Sequence, residues 1–334
     1  MSPSPFDILF FAPGEVTDAV MASGLVRRLL DEIDNARFTV VASPATAPLF
    51  RAMPRLERVV ARDGAGFSAA FSLWRRLRRR RWGLVLDAAG LRLSGLLRAR
   101  RRVRADPESA STEHKVVKAA RLLRLVEDPP APFLFTDPET EARAQRLLGE
   151  GGPILAMAPG GGWIGRTWPT DRFARMAIQL LGPAGPLAEG RLLILGGPED
   201  WREAESLRRS IPRARWIDLT GESDPLIIYA CLARVRLFVG GATALTHLAA
   251  AAGAPTLALY GPVDEALEGP WGPRARVVRG PRSFAEIKAL DGDLDQPVCH
   301  MMDLSVDTVA AAAGRLLRET EPPARAESRK RRHA

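Results

Sequence analysis

Short, unbroken apolar runs alternate along this chain with longer stretches whose apolar residues recur three and four positions apart. The first pattern is that of a strand buried on both faces, the second that of an amphipathic helix. In the first half, strands are expected at Asp7–Phe11, Arg37–Ala42, Glu57–Ala61 and Gly83–Asp87. Helices are expected at Thr17–Ile33, Pro44–Ala52, Ala65–Arg80 and Glu113–Leu125. The Pro-rich segment Asp128–Pro132 and the acidic segment Asp137–Glu141 read as a linker. The alternation then restarts. Strands are expected at Pro153–Met157, Arg191–Leu195 and Arg215–Asp218, with helices at Asp171–Leu181, Trp201–Ser210 and Leu226–Ala233. A serine-capped amphipathic helix, Ser305–Arg318, closes the pattern. Such alternation predicts an α/β protein with parallel sheets covered on both faces. Two sheets of this kind set a ligand cleft between the carboxyl ends of their strands. The expected organisation is a first domain over 1–145, a second over 146–320 and a basic, disordered tail over 321–334.

The densest local signal runs from Leu237 to Pro262: strand, small-residue turn, alanine-rich helix, Gly-Ala-Pro turn and second strand. Gly240 and Gly241 permit a tight turn, and Thr243 is placed to cap the helix. The free N–H groups of that helix start make a seat for phosphate. A second candidate is Gly160-Gly161-Gly162 followed by Arg166, between a strand and a helix. Backbone N–H groups plus one cation make a diphosphate clamp. The plainer reading is a surface turn. Asp200, after another strand, offers a carboxylate for ribose hydroxyls, or a solvated helix start. Asp18 lies in the first turn of the first helix, at the carboxyl edge of the sheet. It reads either as a general base facing the cleft or as a complement to the helix dipole. No GxGxxG follows the first strand, so a dinucleotide fingerprint is absent.

Two domains of ordinary size, each burying its own core, fit 334 residues with 46% apolar content. No run is long enough to span a membrane, and MSPSPFDILFF lacks the basic start of a signal peptide. Cys231 and Cys299 lie far apart, Cys231 within an apolar helical pattern that implies packing, and no zinc-ligand spacing occurs. These features imply a cytoplasmic, metal-free protein. The net charge of +9 is concentrated at Arg75–Arg81, Arg98–Arg102 and Arg329–Arg332. Such clusters attract polyanions, here an anionic membrane surface or an acidic glycolipid; a merely solvated helix face is the alternative. Leu73, Trp74, Leu77 and Trp82 add apolar surface beside the first cluster, or belong to the core. No nucleic-acid fold signature accompanies the charge, and 6% aromatic content argues against a base-stacking platform.

Together, the motifs resemble a known family. They are Asp18; Asp87-Ala88-Ala89-Gly90; Pro159-Gly160 with Arg166-Thr167-Trp168-Pro169; Leu219-Thr220-Gly221; Val239-Gly240 with His247-Leu248-Ala249; and Leu259-Tyr260-Gly261-Pro262. In this order, from Ile8 to about Leu317, the set resembles glycosyltransferase family 9, the heptosyltransferases of lipopolysaccharide core assembly. The resemblance implies a GT-B fold, two Rossmann-like domains facing a central cleft. It implies a nucleotide-diphosphate sugar such as ADP-heptose as substrate, no cofactor, an anionic glycolipid acceptor and inversion without a metal. It implies Asp18 as the base; Gly160, Gly161, Gly162, Arg166, Asp200, Gly240, Thr243 and His247 at the donor; and Asp87, Gly90 and His114 at the acceptor. Taken alone, His247 in an alanine-rich helix would be a packing residue.

The chain departs from the family pattern at several positions. Ala12 stands where arginine is common, Thr17 precedes Asp18 where glycine is common, and Ala89 replaces Gln or His. Arg166 replaces lysine, and Ala242 replaces an acidic residue of the donor loop. Alanine at 12, 89 and 242 supports an alternative: a catalytically impaired paralogue that binds glycolipid or a partner at the membrane. The expected state is a monomer held peripherally at the inner membrane.

Overall fold

The computed structural model describes residues 4–62, 64, 66–106, 112–294 and 297–321. The first half forms β1 (Phe6–Phe11), α1 (Val16–Glu32), β2 (Ala36–Ala42), β3 (Leu56–Ala61), α2 (Phe67–Leu77), β4 (Trp82–Asp87), β5 (Ala99–Arg104) and α3 (Lys115–Ala120). The second forms α4 (Pro138–Leu148), β6 (Ile154–Ala158), α5 (Thr170–Leu181), β7 (Arg191–Ile194), α6 (Trp201–Ser210), β8 (Trp216–Asp218) and α7 (Pro225–Leu232). It continues through β9 (Leu237–Gly241), α8 (Ala244–Ala251), β10 (Thr256–Tyr260), α9 (Glu265–Glu268), β11 (Ala275–Arg279), α10 (Phe284–Leu290) and α11 (Val306–Glu319). Every paired strand is parallel, in the orders β3-β2-β1-β4-β5 and β11-β10-β9-β6-β7-β8. The expected two-sheet α/β architecture is present.

The cores are arranged differently from the expectation of one per domain. Leu9, Phe11, Leu73, Leu77 and Trp82 form a core between α2 and the first sheet. Leu155, Phe173, Met176, Val309 and Leu316 form another on the outer face of the second sheet. The third is shared. It runs without a break from Ile8, Phe10, Leu25 and Phe38 to Ala156, Leu193, Ile227 and Leu248, so α1, α4, α7 and α8 fill one layer between the sheets. Burial of this kind ties the domains together, and polar contacts reinforce it. Arg51 pairs with Asp224, and the Tyr229 hydroxyl donates to Ala251 O at 3.2 Å and accepts from Leu134 N–H at 3.4 Å.

Several expectations are corrected. Asp137–Glu141 is no linker: Asp137 accepts the Thr140 N–H at 2.7 Å and caps α4, whose first turn holds Glu139 and Glu141. The expected boundary at 145/146 cuts through α4, which packs against α7 of the second domain. Pro44–Ala52 supplies one 3-10 turn, Ala47–Phe50. The helix expected over Ala65–Arg80 spans Phe67–Leu77, and α3 is short because Arg124 takes a left-handed φ of 63°. The arginine cluster Arg98–Arg102 overlaps edge strand β5, where charge guards against edge-to-edge pairing. The apolar alternation there is hidden by arginines. Leu73, Leu77 and Trp82 are buried, so they offer no surface beside the arginines. The tail over 322–334, including Arg329–Arg332, lies outside the described residues. No helix among the described residues is long and apolar enough to cross a membrane.

Candidate active site

The chain reverses its direction of progress between β1 and β4 in the first sheet, and between β6 and β9 in the second. Crevices open beyond the carboxyl ends of strands at such reversals. The expected chemistry sits there: Asp18 and Ala88–Gly90 after β1 and β4, and Gly160–Arg166 and Ala242–Thr243 after β6 and β9.

Asp18 occupies the first turn of α1. Its Oδ1 lies 2.9 Å from Lys115 Nζ on α3, and the same ammonium lies 2.8 Å from Glu268 Oε1 on α9. One cation thus joins the candidate base to the second domain. Burial opposes the charge on Lys115, but the Glu268 and Asp18 carboxylates outweigh it and its pKa is raised. Beside Asp18 opens a cavity of about 380 Å³ whose walls include Glu15, Arg62, Ala89, Lys115 and Lys118. Three cations face it, a surface suited to an anionic ligand.

The three residues expected at the acceptor each have a local structural role. Asp87 has no exposed surface; its Oδ1 accepts the Ala89 N–H at 3.1 Å. Burial raises its pKa, while the Ser94 hydroxyl and the N–H groups of Ala89, Gly90 and Leu91 favour its charge. Asp87 thus shapes the turn through Oδ1, while its buried Oδ2 has no partner among the described residues. Gly90 has φ 71°, which that turn requires and a side chain would strain. His114 caps α3: its Nδ1 accepts the Val116 N–H at 3.2 Å, and Nε2 lies 2.8 Å from Gly269 O. A carbonyl only accepts, so Nε2 carries the proton. Nδ1 thus holds the start of α3 while Nε2, with the ring 4.8 Å from that of Trp271, joins the domains.

On the second domain the glycine loop is dictated by crowding. A Cβ at Gly160 would lie 2.0 Å from Asp200 Oδ1, and one at Gly161 would lie 2.4 Å from Thr167 Oγ1. Gly162 has φ 68°. Asp200 accepts the Gly197 N–H at 2.8 Å and rests against Gly160; burial raises its pKa, as do Glu199 and Glu203. Arg166 is half-buried and curls back, its Nε donating to Gly161 O at 2.5 Å, which leaves its terminal nitrogens for a ligand. Gly240 is buried within β9, against Phe238 and Ala158, and supports the loop without facing it. Thr243 holds the cap position of α8, yet its hydroxyl makes no bond to the helix. The Thr243 and Thr220 hydroxyl oxygens are both buried without partners among the described residues, at the carboxyl ends of β9 and β8. A buried, unpaired hydroxyl costs about 1–3 kcal/mol, so each marks a place where a polar ligand atom is expected.

His247 is 5% exposed, and its ring makes no hydrogen bond among the described residues. Burial, with smaller contributions from Lys115 and His114, pushes its pKa down to about 3. The ring is a neutral, buried group at the junction of α8 with the first domain.

Sequence reasoning missed Lys115, Glu268 and Arg62, and gave the motif residue Thr220 no role at the site. Lys115 had a readable signal. Arginine supplies almost all the positive charge, and lysine occurs only at 115, 118, 288 and 330. Two of these line the cavity beside Asp18, where a compact ammonium can lie between two carboxylates. No cluster of His, Cys, Asp and Glu among the described residues could hold a metal ion.

The family model described as glycosyltransferase family 9 (heptosyltransferase) matches residues 92–291. The lipooligosaccharide heptosyltransferase 2 of Haemophilus influenzae is 26% identical over 159 residues, a match spanning 44% of each chain. The lipopolysaccharide heptosyltransferase 2 of Salmonella typhimurium is 25% identical over 310 residues, 81% of this chain and 87% of that one. Among solved structures, the family 9 glycosyltransferase of Veillonella parvula superposes with a TM-score of 0.78 at 17% identity, covering 96% of this chain and 99% of that one. The E. coli ADP-heptose lipopolysaccharide heptosyltransferase II gives 0.73 at 20%, covering 95% and 100%. These superpositions identify the fold as GT-B, as expected from sequence.

Proposed function

The chain belongs to glycosyltransferase family 9, and from that premise we propose that it moves a heptose from an ADP-heptose-type donor to a lipopolysaccharide core or related anionic glycolipid, with inversion and without a metal. The observation that carries the reading is the chain Asp18–Lys115–Glu268, which sets a carboxylate of the first domain against the strand-end loops of the second. The donor diphosphate would lie on the Gly160–Gly162 loop, with Arg166 and the α8 N-terminus beside it. Thr243 and Thr220 would give their hydroxyls to donor oxygens. The acceptor, with its phosphates or carboxylates toward Arg62 and Lys118, would present a hydroxyl to Asp18.

In the transfer, Asp18 takes the hydroxyl proton as the acceptor oxygen bonds to the anomeric carbon. The bond from that carbon to the diphosphate breaks on the opposite face, and the electron pair leaves with the nucleotide diphosphate. Arg166 and the N–H groups of α8 receive that charge. The impaired-paralogue alternative is not favoured, since the chain matches a family of active heptosyltransferases and keeps Asp18 and Arg166. The reaction would take place at the cytoplasmic face of the inner membrane.

The test pairs binding with turnover. ADP, GDP and UDP are compared by thermal shift, because stabilisation follows affinity. Transfer from ADP-heptose is then compared between the native chain and Asp18→Asn. The expected result is selective stabilisation by ADP, unchanged in the variant, with turnover lowered about 100-fold or more. No response to ADP, or full turnover in the variant, defeats the proposal.

A further inference from the structure

Between Gly64 and Ala105 the chain carries twelve arginines and a single carboxylate, Asp87, which is fully buried. Charge alone would describe a solvated face. The structure adds a row of exposed apolar side chains within it. Phe67 is 86% exposed, Phe71 49% and Leu96 71%. The row is continuous: Phe67 stacks on Phe71 with 6.2 Å between centroids, Phe71 lies 5.6 Å from Trp74, and Trp74 Nε1 donates to Leu96 O at 3.4 Å. Leu73 and Leu77 anchor a different face of α2 in the core. The helix is therefore amphipathic twice over, with one apolar face inside and a second, aromatic one outside. Around the outer row stand Arg75, Arg76 and Arg79, exposed and without an ion pair among the described residues, while Arg78 lies over the Trp74 ring at 4.6 Å. Arg80 does not contribute; it is bound to Asp7 and Glu57.

We infer that this outer face of α2, with the turn ending at Leu96, docks on an anionic lipid bilayer. Exposed aromatic rings flanked by arginines, on a helix about 16 Å long, match an element lying in the plane of a headgroup layer. The rings enter the acyl boundary and the guanidinium groups stay with lipid phosphates. A nucleic-acid backbone would use the arginines and leave Phe67 and Phe71 in water. The position also fits a lipid-linked substrate. β3 ends at Ala61, Arg62 lines the cavity beside Asp18, and α2 begins at Phe67, so the bilayer contact starts one short segment from the cavity wall. The inference stands on the surface itself and does not depend on which sugar is transferred.

Co-sedimentation of the full chain with phosphatidylcholine vesicles, and with vesicles also containing phosphatidylglycerol, tests it. Binding to the anionic vesicles alone is expected, lost as salt shortens the Debye length from about 10 Å at 0.1 M to about 3 Å at 1 M. Phe67→Ser/Phe71→Ser should weaken partitioning at least about tenfold. Arg75→Gln/Arg79→Gln should weaken it about fivefold per arginine removed. Both double variants should keep the native melting temperature and ADP response, which separates this result from failure of the catalytic reading. Equal binding to both vesicle types, unchanged partitioning of the Phe67/Phe71 variant, or displacement from vesicles by duplex DNA at matched phosphate overturns it.

Discussion

His247→Leu should make the protein less sensitive to acid while leaving nucleotide affinity alone. The ring is buried, and its pKa is pushed down to about 3 by burial, then by Lys115 and His114. In the unfolded chain a histidine titrates near 6.5. Between these values the unfolded state binds a proton that the folded state refuses. Stability is therefore complete above about pH 6.5 and falls as pH drops, by up to about 1.4 kcal/mol per unit, until about pH 3. At pH 5 the loss attributable to His247 is about 2 kcal/mol, from the ratio of the two binding polynomials. Leucine of similar size cannot titrate, so the variant should match the native protein near neutrality and lose about 2 kcal/mol less on going to pH 5. Urea unfolding at both pH values, on both proteins, reads that difference directly. Equal acid sensitivity would mean that the folded ring accepts a proton and is open to the cleft. A tenfold loss of ADP affinity in the variant would likewise return His247 to the donor site.

Other outcomes follow from the same geometry. Arg166→Ala should weaken ADP binding about 10- to 100-fold, for a charge-assisted phosphate contact of about 1.5–3 kcal/mol, with unfolding unchanged; calorimetry showing native affinity removes Arg166 from the site. Lys115→Met leaves Asp18 and Glu268 without their shared cation and should cost about 1 kcal/mol, since the group is more than a third exposed and solvent screens the pair. Lys115→Met/Glu268→Gln should cost less than the sum of its parts by urea unfolding, and strict additivity would show that the pair is not coupled. Because the Lys115 pKa is raised, this contribution should hold up to about pH 10.4 and fade only as pH rises through the folded value.

Much of the fold was legible because the strands of a doubly covered parallel sheet are unbroken apolar runs, and β1, β4, β6 and β10 are buried along nearly their whole length. The elements that escaped lie where that logic fails. β5 is an edge strand of ARRRVR, and β11, ARVVR, is the edge of the second sheet, so neither needs a continuous apolar run. α4 was hidden because its acidic first turn, a normal helix start, has the composition of a linker. At the site, sequence ranked residues by type and spacing, and type does not reveal burial. Asp87 and His247 stand at motif positions, yet one holds a turn and the other fills the domain junction. Lys115 belonged to no motif and lies 2.9 Å from the candidate base.

The alanine at position 12 shows how the same burial argument bears on function. Alone, an alanine where the family commonly has arginine looks like a lost acceptor contact. In the structure Ala12 is 2% exposed and belongs to the core shared by the domains, where a guanidinium would need buried partners. The cavity is nevertheless cationic. Arg62, from the end of β3, reaches across so that its Nη2 lies 3.0 Å from where a Cβ on Gly14 would stand. The guanidinium thus lies close over Gly14. Lys118, one turn along α3 from Lys115, adds a further cation to the same wall. Arg62, Lys115 and Lys118 thus supply positive charge to the cavity beside Asp18, and Ala12 by itself carries no argument for an inactive protein.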